Sequence, residues 1–218
     1  VRTFFPSPCL RCGVLGEALC AGCFESLEFH PHKRHLADFF VASPYLYEEH
    51  SLLSNLIYPF KYSHQADIFR IFAPGLVQAL KLLNGDLEHL IFVPVPLHKS
   101  RLLERGYNQA QLLAEVAAKA VGGSVWEALE RVKDTGFQSH VKKKEERREN
   151  MKGAFQVKKN FLRRLGEAPL CEMVLVDDIV TSGSTLLACR EALRKAGGER
   201  ISALTLADRE KKTKNFGN

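Results

Sequence analysis

The chain has 218 residues, of which 45% are hydrophobic and 26% charged, and it carries a formal charge of +6 at neutral pH. That length buries a full core, so one main domain with a small appendage is expected. No apolar stretch reaches the length of a transmembrane helix, and the modest positive charge points toward phosphate-rich ligands or nucleic acid. The first residues hold a single Arg and no long apolar segment, unlike a signal peptide, so a cytoplasmic location is expected.

Cys9-Leu10-Arg11-Cys12 and Cys20-Ala21-Gly22-Cys23 form two CxxC pairs separated by seven residues. A CxxC at the tip of a turn presents two thiolates to one tetrahedral zinc, and a second pair closes the site. Residues 1–35 cannot build a core alone, so a metal would do what packing cannot. This spacing predicts a zinc-binding module over residues 1–35, with Cys9, Cys12, Cys20 and Cys23 as ligands. Disulfides do not suit a cytosolic chain, and no thioredoxin-like βαβ unit surrounds the pairs. Four thiolates leave no open position, so such a zinc is structural or serves docking. His30, His32 and His35 read as a polar linker.

Phe39 to Tyr47 is β-branched and aromatic, as in a strand. Leu52, Leu53, Leu56, Ile57 and Phe60 then mark a first helix, with Lys61 at its solvated end. Ile68, Phe72, Leu76, Ala79 and Leu80 mark a second helical pattern over Ala66 to Leu83, which Pro74 should break near Ala73.

Leu90 to Val93 reads as a buried strand, followed by a rigid loop from Pro94 to Arg101. Arg105-Gly106-Tyr107-Asn108-Gln109 then leads into a helix with Leu112, Val116 and Ala120 on one face and Gly122-Gly123 at its end. In open α/β sheets ligands bind outside the carboxyl ends of strands, which is where Lys99, Arg101 and Arg105 fall.

Residues 124–170 are the least regular, with Trp126 to Val132 and Met151 to Val157 as short strands. Between residues 142 and 152 there are six basic and three acidic side chains, a net of +3.

Met173 to Val176 is an apolar run with the look of a buried parallel strand. It leads into Asp177 and Asp178, then Ile179 and Val180, then a Thr181-Ser182-Gly183 turn. That turn opens a helix from Ser184 to about Ala196, stopped by Gly197-Gly198. A small-residue loop entering a helix N-terminus is an anion site, because backbone N–H groups converge there and the helix dipole favours negative charge. Thr181, Ser182, Ser184 and Thr185 add hydroxyls, and Gly183 admits close approach. Two carboxylates beside it would repel a bare phosphate. A ligand with a phosphate at one end and a sugar diol nearby satisfies both halves. Glu199 to Leu206 is a last apolar strand, and Cys171 and Cys189 read as buried small hydrophobes.

The CxxC…CxxC head, the PVPL…RGYNQ stretch and the VLVDDIVTSGST strand together resemble the ComF/GntX family of competence-related proteins, within the type I phosphoribosyltransferase superfamily. The similarity runs from Cys9 to about Leu206. It implies a central parallel α/β sheet flanked by helices, with a flexible-loop hairpin, spanning residues 36–208 behind the zinc-binding module. Residues 209–218 would be a disordered basic tail. The ligand it implies is 5-phosphoribosyl-1-pyrophosphate (PRPP) with Mg2+. Asp177 and Asp178 would hold the ribose hydroxyls, and Thr181, Ser182, Gly183, Ser184 and Thr185 the 5′-phosphate. Pro96, Leu97, His98, Lys99, Arg101 and Arg105 would hold the pyrophosphate. A mobile loop with Gln138, Arg147 and Asn150 would close over it.

Two functions stay open at this point. One is displacement of pyrophosphate at ribose C1, with Asp177, Asp178 and Arg101 as the catalytic groups; no residue identifies itself as a base for an acceptor. The other is a non-catalytic accessory of DNA uptake that binds PRPP or single-stranded DNA, with Tyr107 and Phe137 as stacking candidates. In either case the zinc module would dock competence proteins, recruiting the chain to the inner face of the membrane.

Overall fold

The computed structural model describes residues 7–17, 19–60, 66–83, 86–87, 89–133, 150–167 and 171–209. Lys61, Phe137, Gln138, Arg147 and residues 210–218 lie outside the described residues. The chain opens with an antiparallel pair, β1 (Ser7–Pro8) and β2 (Leu15–Gly16), and a short helix α1 (Ala21–Glu25).

The main sheet contains β3 (His32–Leu36), β4 (Phe39–Ser43), β5 (Tyr45–Leu46), β6 (Ile91–Pro94), β7 (Ser124–Val125), β10 (Met173–Val180) and β11 (Ile201–Asp208). Its order is β3-β4-β11-β10-β6-β7, with β5 also paired to β11. Every pairing is parallel except the antiparallel β3–β4 hairpin. A separate antiparallel pair, β8 (Leu129–Arg131) and β9 (Phe155–Val157), stands at the base of the segment that carries the expected mobile loop.

Both faces of the sheet are covered, which is why its central strands read as unbroken apolar runs. Val174, Val176, Phe92, Leu204 and Leu206 pack beneath α2 (Leu52–Phe60), a 3-10 helix (Ala66–Phe72), α3 (Ala73–Leu83) and α5 (Gln109–Val121). Cys9, Leu19, Cys23 and Leu27 of the head join this same core. Met173, Leu175, Val93 and Ala203 point the other way, under α6 (Lys159–Glu167), α7 (Ser184–Lys195) and the β8–β9 pair. The split between odd and even positions is the two-residue period of a strand.

The expected break at Ala73 is present. The 3-10 turn ends at Phe72 and α3 starts at Ala73, so Pro74 sits in a first helical turn, where a missing N–H costs nothing.

Four expectations need correction. The loop from Pro94 to Arg101 is extended only to His98, because Lys99–Arg105 forms a helix, α4, closed by Gly106 at φ 77°. His32 and His35 are not linker residues: they belong to β3, the outer strand of the sheet, which straddles the expected end of the head at residue 35. Lys159–Glu167 is a helix although nothing in residues 124–170 predicted one. The last strand does not end at Leu206 but runs on to the buried Asp208. Among the described residues, no helix is long and apolar enough to cross a membrane.

Candidate functional site

β6 and β10 lie side by side with Pro94 opposite Val176, and the Val95 N–H donates to the Val176 carbonyl at 2.9 Å. Asp177 therefore stands level with Val95 at the carboxyl edge of the sheet. The two stretches picked from the sequence, Pro96–Arg105 and Asp177–Thr185, leave adjacent strands at the same edge.

β10 does not stop at the carboxylates, as the apolar run suggested, but continues to Val180. The register with β11 steps from Asp177–Thr205 to Ile179–Ala207, and the facing changes phase on the way. Ile179 packs with the α3–α5 side and Val180 with the α7 side. The carboxylates themselves support this turn. Asp177 Oδ1 accepts from the Asp178 N–H at 2.9 Å, and Asp178 Oδ1 accepts from the Ile179 N–H at 2.7 Å. Each half-buried side chain is thereby fixed by its neighbour's backbone. Beside Asp177 on β11, the Thr205 and Ser43 hydroxyls share a buried hydrogen bond of 2.6 Å.

The loop turns at Gly183, which is buried, has φ 73° and serves as the N-cap of α7. That backbone region favours glycine. Ser182 and Ser184 hydroxyls lie 3.1 Å apart, both half-buried, as is Thr185, while Thr181 is exposed. The loop is backed by β3. Leu36 presses on Gly183, and Arg34 donates to the Thr181 carbonyl at 3.2 Å while gripping the Asp208 carboxylate. Burial pushes the Asp208 carboxyl up, but the neighbouring His32 imidazole and the Arg34 guanidinium outweigh it and hold the group below its ordinary value.

On the β6 side, Pro96, Leu97 and His98 are half-buried, Lys99 is exposed and Arg101 is half-buried. His98 caps α4, with Nδ1 2.8 Å from the Ser100 hydroxyl. Arg105 is only 9% exposed. Its charge acts on the Tyr107 phenol, which burial raises and Arg105 pulls back down. Asn108 ties the next helix to the site: Oδ1 caps the Ala110 N–H at 3.1 Å, and Nδ2 donates to the Val95 carbonyl at 3.0 Å.

Of the expected covering loop, Asn150 alone is described, and it is exposed. Two basic residues at the loop's base escaped the sequence reading. Lys133 donates to the Lys152 carbonyl at 2.8 Å, and Arg131 stacks over Phe155. Burial pushes the pKa of the buried Cys189 thiol well up; the Asp177 charge adds to that and the Arg131 charge opposes it. Through Phe155, Arg131 lies on the side of the sheet that holds Leu175 and Cys189. Nothing in its local sequence marks it. Arg34 carries no local signal either.

In the head, the four sulfurs of Cys9, Cys12, Cys20 and Cys23 all lie within 4.8 Å of one another, and those of Cys12 and Cys20 are 3.7 Å apart. A tetrahedral ion with Zn–S bonds of about 2.3 Å has sulfurs about 3.8 Å apart, so the spacing suits a metal ion. Hydrogen bonds from the Cys12 and Cys20 backbone lower the Cys9 thiol to about 6. Burial and the neighbouring thiols raise Cys23 to about 12. The contrast reflects four thiols sharing one pocket.

Residues 112–216, which include β10, the loop and α7, match the model of the phosphoribosyl transferase domain. Competence protein F of Haemophilus influenzae is 30% identical over 240 aligned positions, covering 95% of this chain and 99% of that protein. Competence protein ComFC of Bacillus subtilis is 30% identical across 74% of this chain, which spans 62% of that longer protein. The DNA utilization protein YhgH of Salmonella typhimurium is 29% identical over 71% of this chain and 66% of its own length. With the paired carboxylates and the Thr181–Thr185 turn in their expected places on a parallel sheet, the chain belongs to the competence protein F (ComF) family of the type I phosphoribosyltransferase superfamily.

Proposed function

We propose that this chain binds PRPP across the carboxyl edge of β6 and β10 and works in DNA uptake. The observation that carries the reading is the parallel register of β10 on β6, which brings Asp177 level with Val95, with the Thr181–Thr185 turn beyond one strand and α4 beyond the other. Asp177 and Asp178 take the ribose hydroxyls. Thr181, Ser182, Gly183, Ser184 and Thr185 wrap the 5′-phosphate with backbone N–H groups and hydroxyls at the start of a 12-residue helix. Pro96, Leu97, His98, Lys99, Arg101 and the nearly buried Arg105 hold the pyrophosphate. Gln138, Arg147 and Asn150 come from the covering loop.

Asp177 and Asp178 are hard oxygen donors fixed at that edge and fit Mg2+, which when bound would neutralise pyrophosphate charge. The same arrangement suits loss of pyrophosphate from ribose C1. The carboxylates favour the positive charge that develops on the ring, and Arg101 favours the departing anion. The four-Cys head holds structural zinc and, with β3, joins the phosphoribosyltransferase-like domain. It offers a docking face for other competence proteins, keeping the protein cytoplasmic yet able to assemble at the inner membrane face.

Calorimetric titration of PRPP with Mg2+ tests the site. Wild type should bind, and Asp177→Asn/Asp178→Asn should lose most of the affinity. Equal binding by both proteins, or by neither, removes the assignment. A second reading, a single-stranded DNA-binding accessory that keeps the PRPP site, draws on the DNA-related names of the relatives. Salt-dependent binding to oligonucleotides without pyrophosphate release from PRPP and any base would favour it.

A further inference from the structure

We infer that Arg34 is a positioning residue for the phosphate end of the site, setting the direction of the Thr181–Ser182 peptide. This rests on the reading of Thr181–Thr185 as the 5′-phosphate loop.

Arg34 comes from β3, 147 positions before Thr181, yet it reaches the loop's first carbonyl with Nη2 at 3.2 Å. The same guanidinium grips Asp208 through both Nε and Nη2. Asp208 is 1% exposed at the end of β11, and His32 Nε2 stands 3.5 Å from its Oδ2. The fork is therefore fixed on a buried anion before it meets the loop. One residue on, the Arg209 N–H donates to the Val180 carbonyl at 2.9 Å, anchoring the loop's stem.

In a trans peptide the carbonyl and the following N–H point in opposite directions. With the Thr181 carbonyl held by Arg34, the Ser182 N–H must point away from β3. Two residues further, Leu36 occupies the space where a Gly183 side chain would begin. Alternate residues His32, Arg34 and Leu36 form the inner face of β3, so one strand supports the loop from its stem to its turn. Because Asp208 neutralises Arg34, what the arginine supplies is orientation rather than net charge. Its loss should harm binding of a phosphate in the loop and spare the other end of the site.

The test titrates ribose 5-phosphate and Mg-pyrophosphate separately into the full chain by calorimetry. Arg34→Met should weaken ribose 5-phosphate about tenfold or more and leave Mg-pyrophosphate within about twofold. Arg34→Lys keeps a cation for Asp208 but cannot fork to Thr181, so it should show the same one-sided loss with a near-normal melting temperature. Hydrogen exchange at Ser182 and Gly183 should quicken in Arg34→Lys, a readout that stands even if Arg34→Met fails to fold. Unchanged ribose 5-phosphate affinity in folded Arg34→Lys overturns the inference, as does equal weakening of both ligands. A wild type that binds neither ligand overturns the phosphate-loop reading and this inference with it.

Discussion

A Cβ built on Gly183 would lie 2.4 Å from both methyl carbons of Leu36. The glycine's φ of 73° is itself unfavourable for any other residue. Gly183→Ala therefore meets two separate penalties. It should destabilise the protein by about 1–3 kcal/mol in urea unfolding. Adding Leu36→Ala should relieve the clash and leave the backbone cost. Full recovery by the second change would show that the turn itself is unstrained.

Asp208 predicts an acid limb in stability. Its folded pKa is depressed, because His32 and Arg34 outweigh the cost of burial. A depressed carboxylate contributes stability above its unfolded pKa of about 3.9, and that contribution is lost as pH falls through the folded value. Asp208→Asn should be less stable than wild type from neutral pH down to about pH 4. Below that the gap should narrow. Urea unfolding of both proteins between pH 3 and 7 measures it; a constant gap would mean that the ion pair does not set the difference.

The head gives a metal prediction. The four sulfurs suit one ion, and Cys9 and Cys23 are packed in the same core as Leu27 and Leu76. Elemental analysis of gently purified protein should find about one zinc per chain. Chelation should lower the melting temperature of the whole protein and not only loosen the head. Cys23→Ser should mimic chelation.

Asn108 makes two bonds that can be separated by mutation. Asn108→Ser keeps an oxygen to cap Ala110 and loses the donor to Val95, whereas Asn108→Ala loses both. The alanine variant should cost about 1–3 kcal/mol and the serine variant about half of that in chemical denaturation. If the two lose equally, the cap contributes nothing.

The elements legible in sequence were those whose burial follows from local pattern. Met173–Val176 is covered on both faces and reads as a strand at once, and α7 shows apolar residues at helical spacing with a glycine stop. α5 is a helix with its glycine stop, but it buries Leu113, Ala114, Ala117 and Ala118 rather than the expected face of Leu112, Val116 and Ala120, because its alanines pack closest to the sheet. β3 was illegible because its inner face is His32 and Arg34, whose partner Asp208 lies 174 positions away from Arg34. Only tertiary structure makes those residues interior. α4 is seven residues long, too short for a period to show, and α6 buries Phe161 amid exposed Leu162, Arg163 and Arg164. The carboxylates and the small-residue turn were visible as a motif, whereas Arg34 meets the turn from another strand with no motif of its own. Arg105, whose charge suggested an edge contact, is nearly buried, which its sequence did not show.

The position of β3 also bears on how the protein behaves at high concentration. An outer strand with unpaired backbone groups invites another chain to add to the sheet. Here the outer strand reads His32-Lys33-Arg34-His35-Leu36, and at the opposite border β7 is just two residues long. A repeatedly basic border and a stub leave little template for edge-to-edge growth. The strand that supports the loop thus also discourages self-association, and replacing Lys33 and His35 with valine should make the protein prone to aggregate before it becomes less stable.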